Sequence, residues 1–164
     1  YIEDLKSGLV LYDQLLNDGK ELNIQPGCPN AIERIEGALL SYGNDMDNND
    51  NPFECGFDKY VCLDNRINYL GKEALQKIKK EGIKKKLMGV KIDTDQINLT
   101  KEEKLLDQNN NIMGFLRSAA FSPKFNKVVG IAMIKSKYCQ DSQQFKVDIE
   151  NKLSSGKICN LPIL

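Results

Sequence analysis

No histidine occurs anywhere in the 164 residues. That single absence removes Ser-His-Asp and Cys-His nucleophilic chemistry, histidine-ligated metal and the commonest general base. Cysteine is sparse: Cys28, Cys55, Cys62, Cys139 and Cys159 are an odd number, with no C-x-x-C spacing. A disulfide framework or a zinc site is not expected, and the thiols read as small apolar residues in a reducing compartment. Neither charge is in excess, with Lys+Arg and Asp+Glu both at 23. Nucleic acid and anionic membranes reward a strong basic excess, so neither is expected as a partner. The lysines between Lys77 and Lys86 are interrupted by Glu81 and apolar residues, and read as a solvated helix face. No apolar stretch approaches the length of a membrane span, and the first residues lack the charged-then-apolar pattern of a signal peptide. A cytoplasmic location is the expectation.

What is present suffices for a core, since 41% of residues are hydrophobic and 28% charged. Leu5, Leu9, Tyr12, Leu15 and Leu16 fall on one face at helical spacing, and Gly19 offers a left-handed stop. After an apolar link at residues 22–24 and the turn residues Pro26, Gly27 and Pro29, Asn30 is placed to cap a second helix, with Glu33 as its capping-box partner. Ile32, Ile35 and Leu39 would be the buried stripe of that helix, and Tyr42-Gly43 its end. Residues 43–52, rich in Gly, Asn, Asp and Pro, predict a polar loop. Residues 59–63 alternate like a strand, and residues 71–80 predict a lysine-rich third helix. Beyond Gly82 the period changes from 3.6 to 2. Residues 87–92, 105–106, 112–121, 128–134, 145–149 and 157–161 read as about six short strands, with Asp107-Gln108-Asn109-Asn110-Asn111 as a hairpin turn. The fold class is α+β, the second half closing into a small antiparallel barrel or sandwich.

One run carries more than periodicity. Glu33-Arg34-Ile35-Glu36-Gly37, then Tyr42-Gly43-Asn44-Asp45-Met46-Asp47, then Pro52-Phe53-Glu54 resembles the segment R-(L/I)-E-x-G…Y-G-x-D-(M/L)-D…P-x-E of the folate-dependent aminomethyltransferase family, which includes the T-protein of the glycine cleavage system. Leu87-Met88-Gly89-Val90, the stretch from Asp107 to Pro123 and Lys127-Val128-Val129-Gly130-Ile131-Ala132 resemble the C-terminal barrel of the same family, as does the tail Leu161-Pro162-Ile163. Asn30 stands where T-proteins carry an arginine for the folate tail, and Leu116-Arg117-Ser118 where they carry Val-Thr-Ser. Those departures, with the Asn-Asn-Asp-Asn-Pro-Phe-Glu-Cys-Gly-Phe run from Asn48 to Phe57, resemble the dimethylsulfoniopropionate demethylase branch.

The resemblance covers only the C-terminal part of the family's chain, and with no initiating Met the sequence reads as a portion of a longer protein. It implies that residues 1–81 end a folate-binding α/β region and that residues 82–164 form the β-barrel. It implies tetrahydrofolate as cofactor and a small sulfonium or methylated amine as substrate, with a homodimer as an assembly it allows. A sulfonium is already an activated leaving group, so positioning would do most of the catalysis and no histidine, metal or nucleophile is needed. Tyr1, placed by the resemblance just after the family's pterin-binding glutamate, is the one cofactor-binding candidate; no catalytic residue and no metal ligand is assigned. Arg34 and Glu36, two apart on a helix, cannot face each other; Arg34 pairing with Glu33 or Asp47 is the expectation, with a structural role for both. Asp45, Asp47, Asp50 and Glu54 invite a calcium reading but lack the glycine and spacing of an EF-hand loop, and read as turn residues. Arg117 and Ser122-Pro123 are expected to fix a barrel corner, with Arg117 facing the active-site region as the alternative.

Overall fold

A computed structural model describes residues 2–27, 30–64 and 66–163. Helix α1 (Leu5–Asp18) begins at Asp4, whose carboxylate accepts from the Ser7 amide at 2.9 Å. Gly19 closes it at φ −86°, which is not the left-handed stop expected. The glycine is needed there for space: a Cβ would stand 2.4 Å from Ile24 Cδ1, and Asn23, at φ 53°, makes the left-handed turn instead.

Helix α2 (Ala31–Glu36) starts as its cap predicts, the Asn30 side chain accepting from the Glu33 amide at 2.9 Å. It is shorter than expected. Ala38 turns left-handed at φ 55°, and the Leu39 amide reaches back to the Arg34 carbonyl at 2.9 Å. The chain leaves the helix before Leu39, which is therefore exposed, while Ile35 is buried and Leu40 packs behind it. Gly43 is left-handed at φ 89°, but in a separate tight turn where its amide bonds to the Met46 carbonyl. Residues 59–63 form no strand; a 3-10 turn, Asp58–Tyr60, occupies their start. Helix α3 (Lys72–Glu81) is bounded by Gly71 and Gly82.

Six strands follow: β1 (Lys85–Ile92), β2 (Glu103–Leu106), β3 (Ile112–Ser122), β4 (Lys127–Lys135), β5 (Gln144–Ile149) and β6 (Lys152–Cys159). They close in the order β1-β4-β3-β2-β5-β6, every pairing antiparallel, with Gly89 against Cys159 and Ile92 against Gly156 sealing the seam. The barrel, rather than the sandwich, is the outcome, and closure leaves no free sheet edge. β6 starts five residues before the expected 157, because Glu150 and Asn151 both take positive φ and make a two-residue hairpin turn.

Met88, Val90, Ile92, Met113, Leu116, Ala132, Ile134 and Phe145 fill the interior. The odd-numbered residues of β4, Val129, Ile131 and Met133, point outward yet are also buried, beneath Ile35, Cys55 and Ile163. That explains why β4 reads as almost continuously apolar: both of its faces are covered. The cover is the strap of residues 34–57, which lies across the outer face of β1, β4 and β3.

Candidate functional site

Acidic side chains of the strap meet cations and hydroxyls of the barrel beneath it. Asp45 is fully buried. Its Oδ2 accepts from Arg34 Nη1 at 2.5 Å and from the Ser41 amide at 2.7 Å, and its Oδ1 accepts from Ser118 Oγ on β3 at 2.5 Å. Arg34 also donates to the Leu39 carbonyl at 3.1 Å, bracing the turn that ends α2. Asp50 accepts from Arg117 Nη1 at 2.8 Å, from the Asp47 amide at 3.0 Å and from Lys85 Nζ at the start of β1. Glu36 accepts from Ser122 Oγ at 2.6 Å, and that hydroxyl accepts in turn from the Phe125 amide. The Leu87 amide donates to the Glu54 carbonyl at 2.8 Å, extending the attachment to β1.

A register shift in β3 makes this possible. Leu116 pairs with Ala132 and Ser118 with Ile131, so Arg117 is an extra residue on its strand. Such a bulge re-aims a side chain; here it turns the guanidinium outward to the strap, where Nη1 also meets the Asp45 carbonyl at 3.2 Å. Arg117 Nε lies 3.0 Å from Glu102 Oε1, but the N–H is not aligned for a hydrogen bond, so the contact is ionic. Opposite the bulge, a Cβ on Gly130 would stand 2.6 Å from the Ser118 carbonyl, so the close approach requires glycine.

Burial opposes ionisation of Asp50, yet the Lys85 hydrogen bond, the Asp47 amide and the Arg117 and Lys85 charges prevail and hold its carboxyl below the usual range. The neighbouring Cys55 thiol is pushed up to about 11 by its own burial and by the negative charges of Asp50 and Glu54. It is no nucleophile at neutral pH.

The structure therefore brings together residues that the sequence pattern left apart. Arg34 pairs with Asp45, not with Glu33 or Asp47, and Glu36 binds Ser122. Arg117 joins the strap, while Ser122 does sit at the barrel corner at the end of β3. Asp47 Oδ1 accepts from the Asn49 amide and Glu54 Oε2 from the Asn51 amide, which are turn contacts. No group of three His, Cys, Asp or Glu able to hold a metal ion occurs among the described residues. Lys85, Ser118 and Glu102 were not anticipated; the basic run from Lys77 masked Lys85, and nothing in the sequence marks a bulge. Tyr1, the cofactor-binding candidate, lies outside the described residues.

An open groove of about 490 Å³ runs between the end of α2, residues 55–60 and β1, walled by Leu39, Leu40, Phe57, Tyr60 and Leu161. Among the described residues its one carboxylate, Asp58, is solvent-exposed. A pterin ring edge presents N–H groups that call for a sheltered acceptor, so the groove does not fit that group. No helix among the described residues is long and apolar enough to cross a membrane.

The barrel is of a known kind. Residues 85–164 match the family model for the glycine cleavage T-protein C-terminal barrel domain. The wider chain is similar to two sorts of protein. It is 34% identical over 149 residues to an aminomethyltransferase of Thermoanaerobacter pseudethanolicus, covering 90% of this chain and 40% of that one. It is 36% identical over 134 residues to the dimethylsulfoniopropionate demethylase of Ruegeria pomeroyi, covering 82% and 36%. The crystal structure of the glycine cleavage system aminomethyltransferase T from Bartonella henselae superposes with a TM-score of 0.74 at 20% identity, over 82% of this chain and 37% of that one, which supports the fold. This chain thus spans about two fifths of the length of the curated relatives it matches.

Proposed function

We propose that this protein serves tetrahydrofolate-dependent methyl transfer from dimethylsulfoniopropionate, with methylthiopropionate and 5-methyltetrahydrofolate as products. The observation that carries this reading is Arg117. It stands in Leu116-Arg117-Ser118, where the sequence departs from the T-protein pattern toward the demethylase branch, and its partner Asp50 lies in the Asn/Asp-rich run that departs in the same direction. The similarity to the Ruegeria demethylase over 82% of this chain supports the same branch. The groove beside α2 does not fit a pterin, so no step of the reaction is assigned to its residues.

Glycine-cleavage aminomethyl transfer is the second reading, favoured by the longer match to the Thermoanaerobacter enzyme. The chain is joined behind the portion of the Ruegeria demethylase outside the match, and incubated with tetrahydrofolate and dimethylsulfoniopropionate. Methylthiopropionate and 5-methyltetrahydrofolate should accumulate together. Ammonia release from an aminomethylated carrier protein, with no sulfonium turnover, would select the second reading. Folate binding without transfer from either donor would leave a non-catalytic folate-binding relative.

A further inference from the structure

One end of the barrel is a mouth that the chain itself crosses. Residues 93–102 link β1 to β2 there, and Ile97 and Leu99 pack from this link onto the barrel core. Between the link and the β5–β6 hairpin lie two adjoining cavities of about 340 and 160 Å³, with Ile149 and Glu150 as shared walls. Their described lining residues all fall between 94 and 154, so the barrel alone builds this cleft. Four carboxylates line it, Asp95, Glu103, Asp148 and Glu150, against Lys101 and Lys152. Lys101 lies 4.0 Å from Glu103; among the described residues Asp95, Asp148 and Glu150 have no ion pair and no side-chain hydrogen bond. Acidic side chains alone would be an ordinary solvated surface. Ser154 sets this cleft apart. It is an inward position of β6, 7% exposed, and lines the smaller cavity, yet no described residue partners its hydroxyl. Thr94, in the same cavity, donates its own hydroxyl to the Gln96 carbonyl at 3.3 Å. A buried hydroxyl without a partner costs stability, and alanine would fill the position without that cost. The Ser154 oxygen is explained by a ligand that bonds it from the cavity.

The chemistry of that ligand follows from the lining. Two negative charges are in excess, and they are divided: Asp95 lines one cavity, Glu103 and Asp148 the other. A metal ion does not suit carboxylates so placed, and no group of three His, Cys, Asp or Glu able to hold one occurs among the described residues. A sulfonium or quaternary ammonium has no N–H to give the Ser154 oxygen, whereas a primary ammonium has three. Two primary ammoniums joined by a short aliphatic chain meet every requirement, with one charge in each cavity and the chain across Ile149. We propose that the cleft binds a linear aliphatic diamine, one ammonium held by Ser154, Asp95 and Glu150 and the other by Glu103 and Asp148.

The 164-residue chain is titrated calorimetrically, at low salt, with 1,4-diaminobutane and 1,5-diaminopentane, and at matched ionic strength with butylamine and tetramethylammonium. A diamine should bind one-to-one, about tenfold or more tighter than butylamine, which carries a single charge. Tetramethylammonium should bind more weakly still. Amide chemical shifts should move in residues 94–103 and 148–154 and stay fixed in the strap. Ser154→Ala should keep or raise the melting temperature while weakening the diamine about fivefold or more. Asp95→Asn with Asp148→Asn, one change in each cavity, should weaken it further, whereas Asp141→Asn, an exposed carboxylate before β5, should leave it unchanged. No binding at millimolar diamine overturns the proposal. Equal affinity for butylamine and the diamines overturns it too, as does affinity that Ser154→Ala leaves unaltered, since the cleft would then be a solvated acidic surface. Because no folate and no methyl donor is present, failure of the methyl-transfer reading would leave these outcomes as they stand.

Discussion

At the scale of single residues, the buried carboxylates govern how this chain answers to acid and to substitution. Removing one partner of a buried pair strands the other charge, which costs about 3–5 kcal/mol. Asp50 has two cationic partners, and the Arg117 side chain is 13% exposed. Asp50→Asn should therefore lose about 3 kcal/mol in urea unfolding at pH 7, near the low end of that range. Replacing Asp50 and Arg117 together by Leu and Met should cost less than the sum of the two single changes, because no orphan charge remains. The sign with pH follows from the depressed Asp50 pKa. Its stabilisation is complete above the unfolded carboxylate value, near 3.9, and fades as pH falls from there through the lower folded value. Unfolding free energy should fall between about pH 5 and 2, and Asp50→Asn should flatten that slope. An unaltered slope in the variant would show that other carboxylates dominate acid unfolding.

At the scale of elements, some features were legible in the residues and others were not. Asn30 and Glu33 gave the start of α2 because a cap is a local event, settled within one turn. Its end was not legible, because Ala38 in the left-handed region is an unfavourable choice that only tertiary packing sustains. The alternation at residues 59–63 misled for the converse reason: no neighbouring strand is there to pair with it. The six strands were visible from their period and turns, but the Arg117 bulge was not, since one added residue leaves no compositional trace. The acids of the candidate site were singled out from the sequence, as were Arg34, Arg117 and Ser122, but not which acid each would meet; Lys85 and Ser118, 35 and 73 residues from their carboxylates, were not singled out. The strap's apolar anchor is Ile35, buried against Val129, Ile131 and Met133. Ile35→Ala should cost about 2–5 kcal/mol, whereas Leu39→Ala, on the exposed turn three residues beyond the end of α2, should stay within about 0.5 kcal/mol. Equal losses in the two variants would mean that the strap does not pack through Ile35.

At the scale of the whole molecule, the apolar layer does not respect the change of period at Gly82. The outer side chains of β4 are sealed by Ile35 and Cys55 from one side of that point and by Leu87 and Ile163 from the other, and the cations Lys85 and Arg117 have their carboxylate in the strap. A chain beginning at residue 83 would expose Val129, Ile131 and Met133 to water and leave Arg117 without Asp50. Three uncovered side chains of that size forfeit about 1.5–3 kcal/mol each, a sum comparable to the whole stability of a small domain. A chain beginning at residue 28 loses only α1 and the turn after it, which bury nothing against the barrel. Residues 28–164 should therefore melt cooperatively, with a midpoint within a few degrees of the 164-residue chain and less tendency to aggregate, since the exposed leucines of α1 are gone. Residues 83–164 alone should bind hydrophobic dye and melt without a sharp transition. Cooperative melting of the 83–164 piece at the same temperature would show that the strap is an attachment to a self-sufficient barrel, and that the buried pairs at Asp45 and Asp50 orient the strap without stabilising what lies beneath it.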